Sequence, residues 1–252
     1  AAKLEQKIAT QQEVEQTRRL LVATGSHDLR TPLASMRAIV ESINDGVVTD
    51  SETVRRYLQT LQHETEYLSR LIDDLFELSQ IDSGLLKLRP EPASLQDLIS
   101  DTLQSLSAQA EGKRVRLTGH VPESVPQVVA DPQRLQRVLY NLVQNALRHT
   151  PADGTVAVQA EDAGAEVRVS VSDTGEGIVP EFLPHVFERF RQAETGRAKG
   201  LGLGLAIVKH LVEEHGGTVT AASEGRGRGA TFTFELPLAA ESSPGPGIER
   251  ER

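Results

Sequence analysis

Ser26-His27-Asp28-Leu29-Arg30-Thr31-Pro32-Leu33 opens the most regular stretch of the chain. From it Leu29, Leu33, Met36, Val40 and Ile43 step by four, three, four and three, the spacing of a seam between packed helices. At about 100° per residue His27 points away from that seam, and Thr31 falls one turn further along on the face of His27. Asp28 flanks the pair. An imidazole, a carboxylate and a hydroxyl are therefore expected on the outside of a packed helix, with Pro32 tending to bend its axis. A neutral imidazole offers a lone pair near neutral pH, its reference pKa being about 6.5. A neighbouring carboxylate holds the ring in one tautomer and accepts its proton as the ring attacks. A single surface histidine beside an aspartate carries little alone; the surrounding chain gives it weight.

Working outward, residues 1–24 are polar, rich in Gln and Glu and free of Gly and Pro. They read as a helical connector or coiled coil running into the His27 segment, with a frayed tail as the alternative. Asn44-Asp45-Gly46 ends the first helix with turn chemistry. Ser51-Glu52 starts a second, in which Val54, Leu58, Leu61, Thr65, Leu68, Ile72 and Leu75 continue the alternating spacing until Gly84. Residues 25–84 thus form a helical hairpin. One hairpin cannot bury stripes this wide, but two can, so a homodimeric four-helix bundle is expected with His27 outside. Residues 85–92, with Lys87, Arg89, Pro90 and Pro92, read as a linker with the length of a hinge.

From residue 93 to 238 the pattern turns to mixed α and β. Ser94 to Ala110 reads as a helix, Val115 to Leu117 and Gln127 to Ala130 as short strands. Asp131-Pro132 is an N-cap with proline at the first helical position, and the helix runs to about His149. Gly154–Ala160 and Glu166–Ser172 alternate as strands. Leu203–His215 is a helix ended by Gly216-Gly217, and Thr218–Ala222 with Ala230–Leu236 are closing strands. Residues 239–252 have the composition of a disordered tail. The fold class is multidomain: an all-α hairpin followed by an α/β sandwich.

The chain has 252 residues, a net charge of −9 and no cysteine. Acidity argues against a nucleic-acid binder, and the missing thiols exclude disulfides and thiolate metal sites. No apolar run approaches the roughly 20 residues of a membrane span and no leader opens the sequence. A soluble, cytoplasmic chain is expected, either as it stands or as the cytoplasmic portion of a larger membrane receptor, with any sensor upstream or absent.

Four short motifs in the second half carry chemistry together. Asn141 and Asn145 share a helix face, where an amide oxygen suits Mg²⁺, and Arg148 one turn on reaches a phosphate. Asp173-Thr174-Gly175-Glu176-Gly177 leaves the end of a strand, and its carboxylate accepts from the exocyclic amine of adenine but repels the carbonyl of guanine. Phe187-Glu188-Arg189-Phe190 offers two aromatics to pin a lid, or to form a small apolar cluster. Gly200-Leu201-Gly202-Leu203-Gly204-Leu205 opens a helix whose free N–H groups and dipole attract anions. It is neither a Walker loop nor a Rossmann fingerprint.

The Ser26–Leu33 segment resembles the H-box of sensor histidine kinases, and the four motifs, in order and spacing, resemble the N, G1, F and G2 boxes of their ATP-binding domain. The resemblance spans nearly all of residues 20–237. It implies a Bergerat-fold ATP domain beside a dimerisation hairpin. His27 would accept phosphate, Asp28 would take the proton, and Thr31 would act in dephosphorylating the partner. Asn145 would hold Mg²⁺ with Asn141 in support. Arg148 and His149 would contact phosphates. Asp173 would read adenine with Gly175 and Gly177 lining the base pocket. Gly200, Gly202 and Gly204 would form the phosphate loop, and either Arg189 or Arg191 would approach the γ-phosphate. ATP and Mg²⁺ are the implied cofactors and a response-regulator receiver domain the implied partner. Leu201 replaces a frequent hydroxyl residue, and Arg191-Gln192 stands where the family often has Tyr-Arg. The rival readings are an ATPase clamp of the gyrase-related superfamily and a non-catalytic dimeric adaptor.

Overall fold

A computed structural model describes residues 29–191 and 201–238. Helix α1 covers residues 29–44 and α2 covers Ser51–Asp82. Their connection is closed by Gly46 at φ 69° and by the Asp50 carboxylate, which accepts from Thr53 N at 2.8 Å and caps α2. The helices run antiparallel, with the Thr65 hydroxyl meeting the Met36 sulfur. Within one chain the hairpin leaves much of its apolar stripe open: Leu33, Val40, Leu58, Ile72 and Phe76 are each more than half exposed. The second half of α2 instead buries Leu71, Leu78 and Ile81, and α2 packs against helix α5, which covers Gly204–Glu214.

The segment expected as a linker over 85–92 ends sooner. Glu91–Ala93 is a strand, β1, antiparallel to β3 (Val128–Ala130). Arg89 N donates to Asp131 Oδ2 at 3.0 Å, so the free connection is shorter than composition indicated. Asp131 also caps α4 (Pro132–His149) through Arg134 N, and its own N–H donates to His215 Nε2 at 3.0 Å. One carboxylate and its peptide thus join the connection, the start of α4 and the end of α5.

A five-stranded sheet of order β2-β4-β5-β7-β6 carries the domain, with β2 (Arg116–His120), β4 (Thr155–Asp162), β5 (Glu166–Asp173), β6 (Thr218–Ala222) and β7 (Ala230–Pro237). Only β2 and β4 are parallel. Strand β2 starts and ends later than expected from Val115–Leu117, because its pairing with β4 carries it to His120. Period-two alternation sends Val156, Val158, Val167, Val169, Val171, Phe232 and Phe234 inward, toward α3 (Leu95–Lys113), α4 and α5. The other face is polar, with Arg168 bridging Glu161 at 2.9 Å and Glu235 at 2.7 Å across three strands. One covered and one open face is the two-layer solution for an antiparallel-rich sheet.

Candidate functional site

Helix α4 builds the first wall of the site. Leu135, Val138, Leu139, Leu142, Val143, Ala146 and Leu147 are buried, so by helical periodicity Asn141, Gln144, Asn145 and Arg148 are left on the other side. All four line a cleft of about 810 Å³, together with His149. The end of α4 is held from α3: Lys113 Nζ donates to Leu147 O at 2.5 Å and Arg148 O at 2.6 Å. An ammonium on the last carbonyls satisfies groups that a helix end leaves open. Desolvation holds both the Lys113 ammonium and the Arg148 guanidinium below their usual ranges, Arg70 adding to the effect on Arg148.

The second wall begins where β5 ends. Asp173 lines the cleft, and Gly175 N donates to its Oδ1 at 2.7 Å. Burial pushes the Asp173 carboxyl above its ordinary value, partly offset by that N–H. An oriented, half-desolvated acceptor of this kind fits an amine of a planar base. Gly177 lines the cleft as expected, with φ 67°. Gly175 does not. It packs behind Asp173, where a Cβ would lie 2.5 Å from His149 O. Its glycine is required by the close approach of the β5 turn to the end of α4. His149 Nδ1 and Glu176 Oε1 are 2.5 Å apart, and Glu176 N donates to His149 O at 3.1 Å. Glu176, unassigned in the sequence, is a cleft residue tied to His149 at both backbone and side chain.

The third wall is the start of α5. Leu203 at its N-cap offers no side-chain acceptor, and its first turn has no acid. Among the described residues no side chain caps its first N–H groups, which with the positive dipole end are placed to attract an anion. Gly202 and Gly204 line the cleft as expected. Gly202 adopts φ 67°, and a Cβ there would lie 2.6 Å from Arg191 O. Phe190 N donates to Gly202 O at 3.1 Å. Phe187 packs edge-on against Phe232, centroids 6.1 Å apart, so the two aromatics do fix this segment.

That fixing separates the two arginines. Arg191 lines the cleft, where Glu188 holds its Nε at 3.0 Å while also meeting His185 Nδ1 at 2.6 Å. Arg189 pairs with Asp82 of α2 at 2.7 Å and is not among the residues lining the cleft, whereas Arg191 is. Phe190, at φ 61°, reverses the chain between them, and sequence spacing does not reveal that reversal. His185, also in the cleft, lacked any sequence signal beyond its proximity to the Phe187 motif.

Thr31 is exposed on α1. His27, Asp28 and Gly200 lie outside the described residues. The acidic, amide and arginine groups that are described suit an adenine nucleotide: an oriented carboxylate at one end, amide oxygens and cations at the other, and an uncapped helix start between. Among the described residues no group of three or more His, Cys, Asp or Glu could hold a metal, so a metal here would rest on amide oxygens and on phosphates it shares, as Mg²⁺ does.

These features define a nucleotide-binding layered domain carried on a helical hairpin. Residues 130–240 match the family described as histidine kinase-, DNA gyrase B- and HSP90-like ATPases, and residues 17–84 match the His Kinase A phospho-acceptor domain. The chain is 38% identical over 214 residues to the sensor protein DivL of Caulobacter vibrioides, covering 84% of this chain and 27% of that protein. It is 34% identical over 221 residues to the sensor histidine kinase WalK of Bacillus subtilis, covering 86% and 36%. The solved histidine kinase AdeS of Acinetobacter baumannii superposes with a TM-score of 0.68 at 25% identity, covering 85% of this chain and 98% of that one. Histidine kinase ThkA, solved in complex with the response regulator protein TrrA, does so at 0.67 and 26%, covering 94% and 67%. The chain belongs to the two-component sensor histidine kinases and corresponds to their catalytic core. It spans about a quarter to a third of the length of the curated relatives it matches.

Proposed function

We propose that this chain is an ATP-dependent protein-histidine kinase that phosphorylates its own His27 and passes the group to an aspartate of a separate response regulator. The observation that carries the reading is one cleft in which the Asp173 carboxylate, the Asn141–Asn145 face and the uncapped start of α5 converge. Bound ATP would supply the phosphoryl group, and Asn145, supported by Asn141, would hold the Mg²⁺ that offsets its phosphate charge. Asp173 accepts from the adenine amine. Arg148, His149 and Arg191 offset phosphate charge, and the N–H groups from Gly200 to Gly204 cradle it. His27 would attack the γ-phosphorus as the bond to the β–γ bridging oxygen breaks and ADP leaves, while Asp28 would orient the ring and take its proton. Thr31, one turn on, would serve the separate hydrolysis of the regulator's aspartyl phosphate, in which water takes the phosphoryl group and inorganic phosphate leaves. The open seam of Leu33, Val40, Leu58, Ile72 and Phe76 is closed by a second copy, giving the homodimeric bundle. The connection between Gly84 and Arg89 is the hinge on which the domain travels.

Incubation with γ-labelled ATP tests this reading. The native chain retains acid-labile label on the protein and His27→Gln retains none. Equal labelling of both would remove His27 from its role, and steady phosphate release with no labelled protein would favour the clamp ATPase instead.

A further inference from the structure

The nucleotide cleft is not walled by its own domain alone. Asp74 of the hairpin helix α2 lines it, in company with Asn145, Gln144 and Arg148. Asp74 reaches there because α2 and the domain are held together by a set of ion pairs. Arg134 Nη1 lies 2.8 Å from Glu77 Oε1, and Arg137 Nε lies 3.3 Å from Glu77 Oε2. Arg137 also pairs with Asp74, and Arg189 with Asp82 at 2.7 Å. Glu77 is nearly buried, and Leu78 and Ile81 are buried beside it.

The charges are not placed alike. Glu77 and Asp82 face only arginines of the domain among their described ion partners. Asp74 has Arg137 on one side and the cleft on the other. Burial weighs more heavily on its carboxylate than Arg137 does, Glu77 and Asp73 add to the same direction, and Arg148 at the cleft side opposes it. Phosphates at the Asn145–Arg148 end would bring several negative charges toward a carboxylate that is already poorly solvated. Like charges brought close together repel strongly where water is scarce.

We propose that Asp74 couples the two states of the molecule: docking of the domain on α2 and binding of nucleotide phosphates in the cleft oppose each other through this one carboxylate. Glu77 and Asp82 hold the docked arrangement, and Asp74 makes that arrangement responsive to the ligand. Phosphates in the cleft push α2 away, and loss of docking withdraws Asp74 and strengthens phosphate binding. The two effects are equal by linkage. The inference rests on the nucleotide reading of the cleft and adds its regulation.

Equilibrium titrations with ADP and with adenosine test it on the full chain. Asp74→Asn binds ADP about tenfold more tightly than the native chain, within the usual range of such couplings, and binds adenosine, which has no phosphates, equally well. The double variant Glu77→Gln/Asp82→Asn, whose side chains do not line the cleft but whose loss loosens docking, also binds ADP more tightly. Adding Asp74→Asn to that background gives no further gain. X-ray scattering shows the native chain expanding on saturation with ADP and the Asp74→Asn chain keeping its dimensions. Unchanged or weaker ADP binding by Asp74→Asn, an equal gain for adenosine, or a fully additive triple variant overturns the coupling while leaving the nucleotide site in place. Failure of the native chain to bind either ligand overturns the site and the coupling with it.

Discussion

At the scale of single residues the cleft works by orientation. Asp173 is an acceptor whose direction is set by Gly175 N and whose solvation is reduced by burial. A hydrogen bond between a charged acceptor and an amine contributes about 1.5–3 kcal/mol. Asp173→Asn should therefore weaken ADP binding about ten- to hundredfold, measured by equilibrium titration, with the fold intact by circular dichroism. Asp173, Asn141, Asn145 and Arg148 were legible in the sequence because each sits in a regular element whose period fixes its face. Arg189 and Arg191 were not separable there. They lie in a segment whose path depends on the left-handed Phe190 and on Gly202.

At the scale of elements, the start of α4 is the most connected point of the domain. The Asp131 carboxylate accepts from Arg134 N at 3.2 Å and Arg89 N at 3.0 Å, and its peptide N–H meets the His215 ring. Replacing an N-cap aspartate with alanine costs about 1 kcal/mol, and here the bond to the connection is lost as well. Asp131→Ala should lower stability by about 1–3 kcal/mol in denaturant unfolding. A loss under a few tenths would show that the carboxylate is not the joint described. The N-cap was readable from Asp131-Pro132. Its two further partners were not, since Arg89 and His215 lie 42 and 84 residues away. The same holds for β1, whose three residues carry no alternation and exist because β3 lies beside them.

At the scale of the whole molecule, the hairpin and the nucleotide domain meet through acids of α2 and arginines of α4 and the Phe187 segment. Asp74 is the titrating member, its carboxyl pushed up from 3.8 to about 6 by desolvation, against the opposing pull of Arg137 and Arg148 and with Glu77 and Asp73 adding to the rise. A raised carboxyl means that the docked state holds a proton which the separated helix releases. Its contribution to docking is complete at pH below 3.8 and is lost as pH rises through about 6. Acidification from about pH 7.5 to about 5.5 should therefore compact the ligand-free chain, as seen by scattering, and Asp74→Asn should remove most of that dependence. Expansion on acidification would reverse the sign and refute the assignment.

Local periodicity alone determined a great deal of this protein. It set the two long helices, the face of α4 that carries the amides and arginine, and the alternation of the sheet, because helix and strand periods are written into neighbouring residues; the nucleotide motifs were legible through their resemblance to the family's boxes. Tertiary structure alone decided that Asp74 of the hairpin borders the nucleotide cleft, that Arg191 faces it while Arg189 ties to α2, and that Asp131 joins three distant segments. Those relations arise where elements far apart in the chain meet. Burial, charge pairing and backbone reversal act there between residues that no sequence period connects.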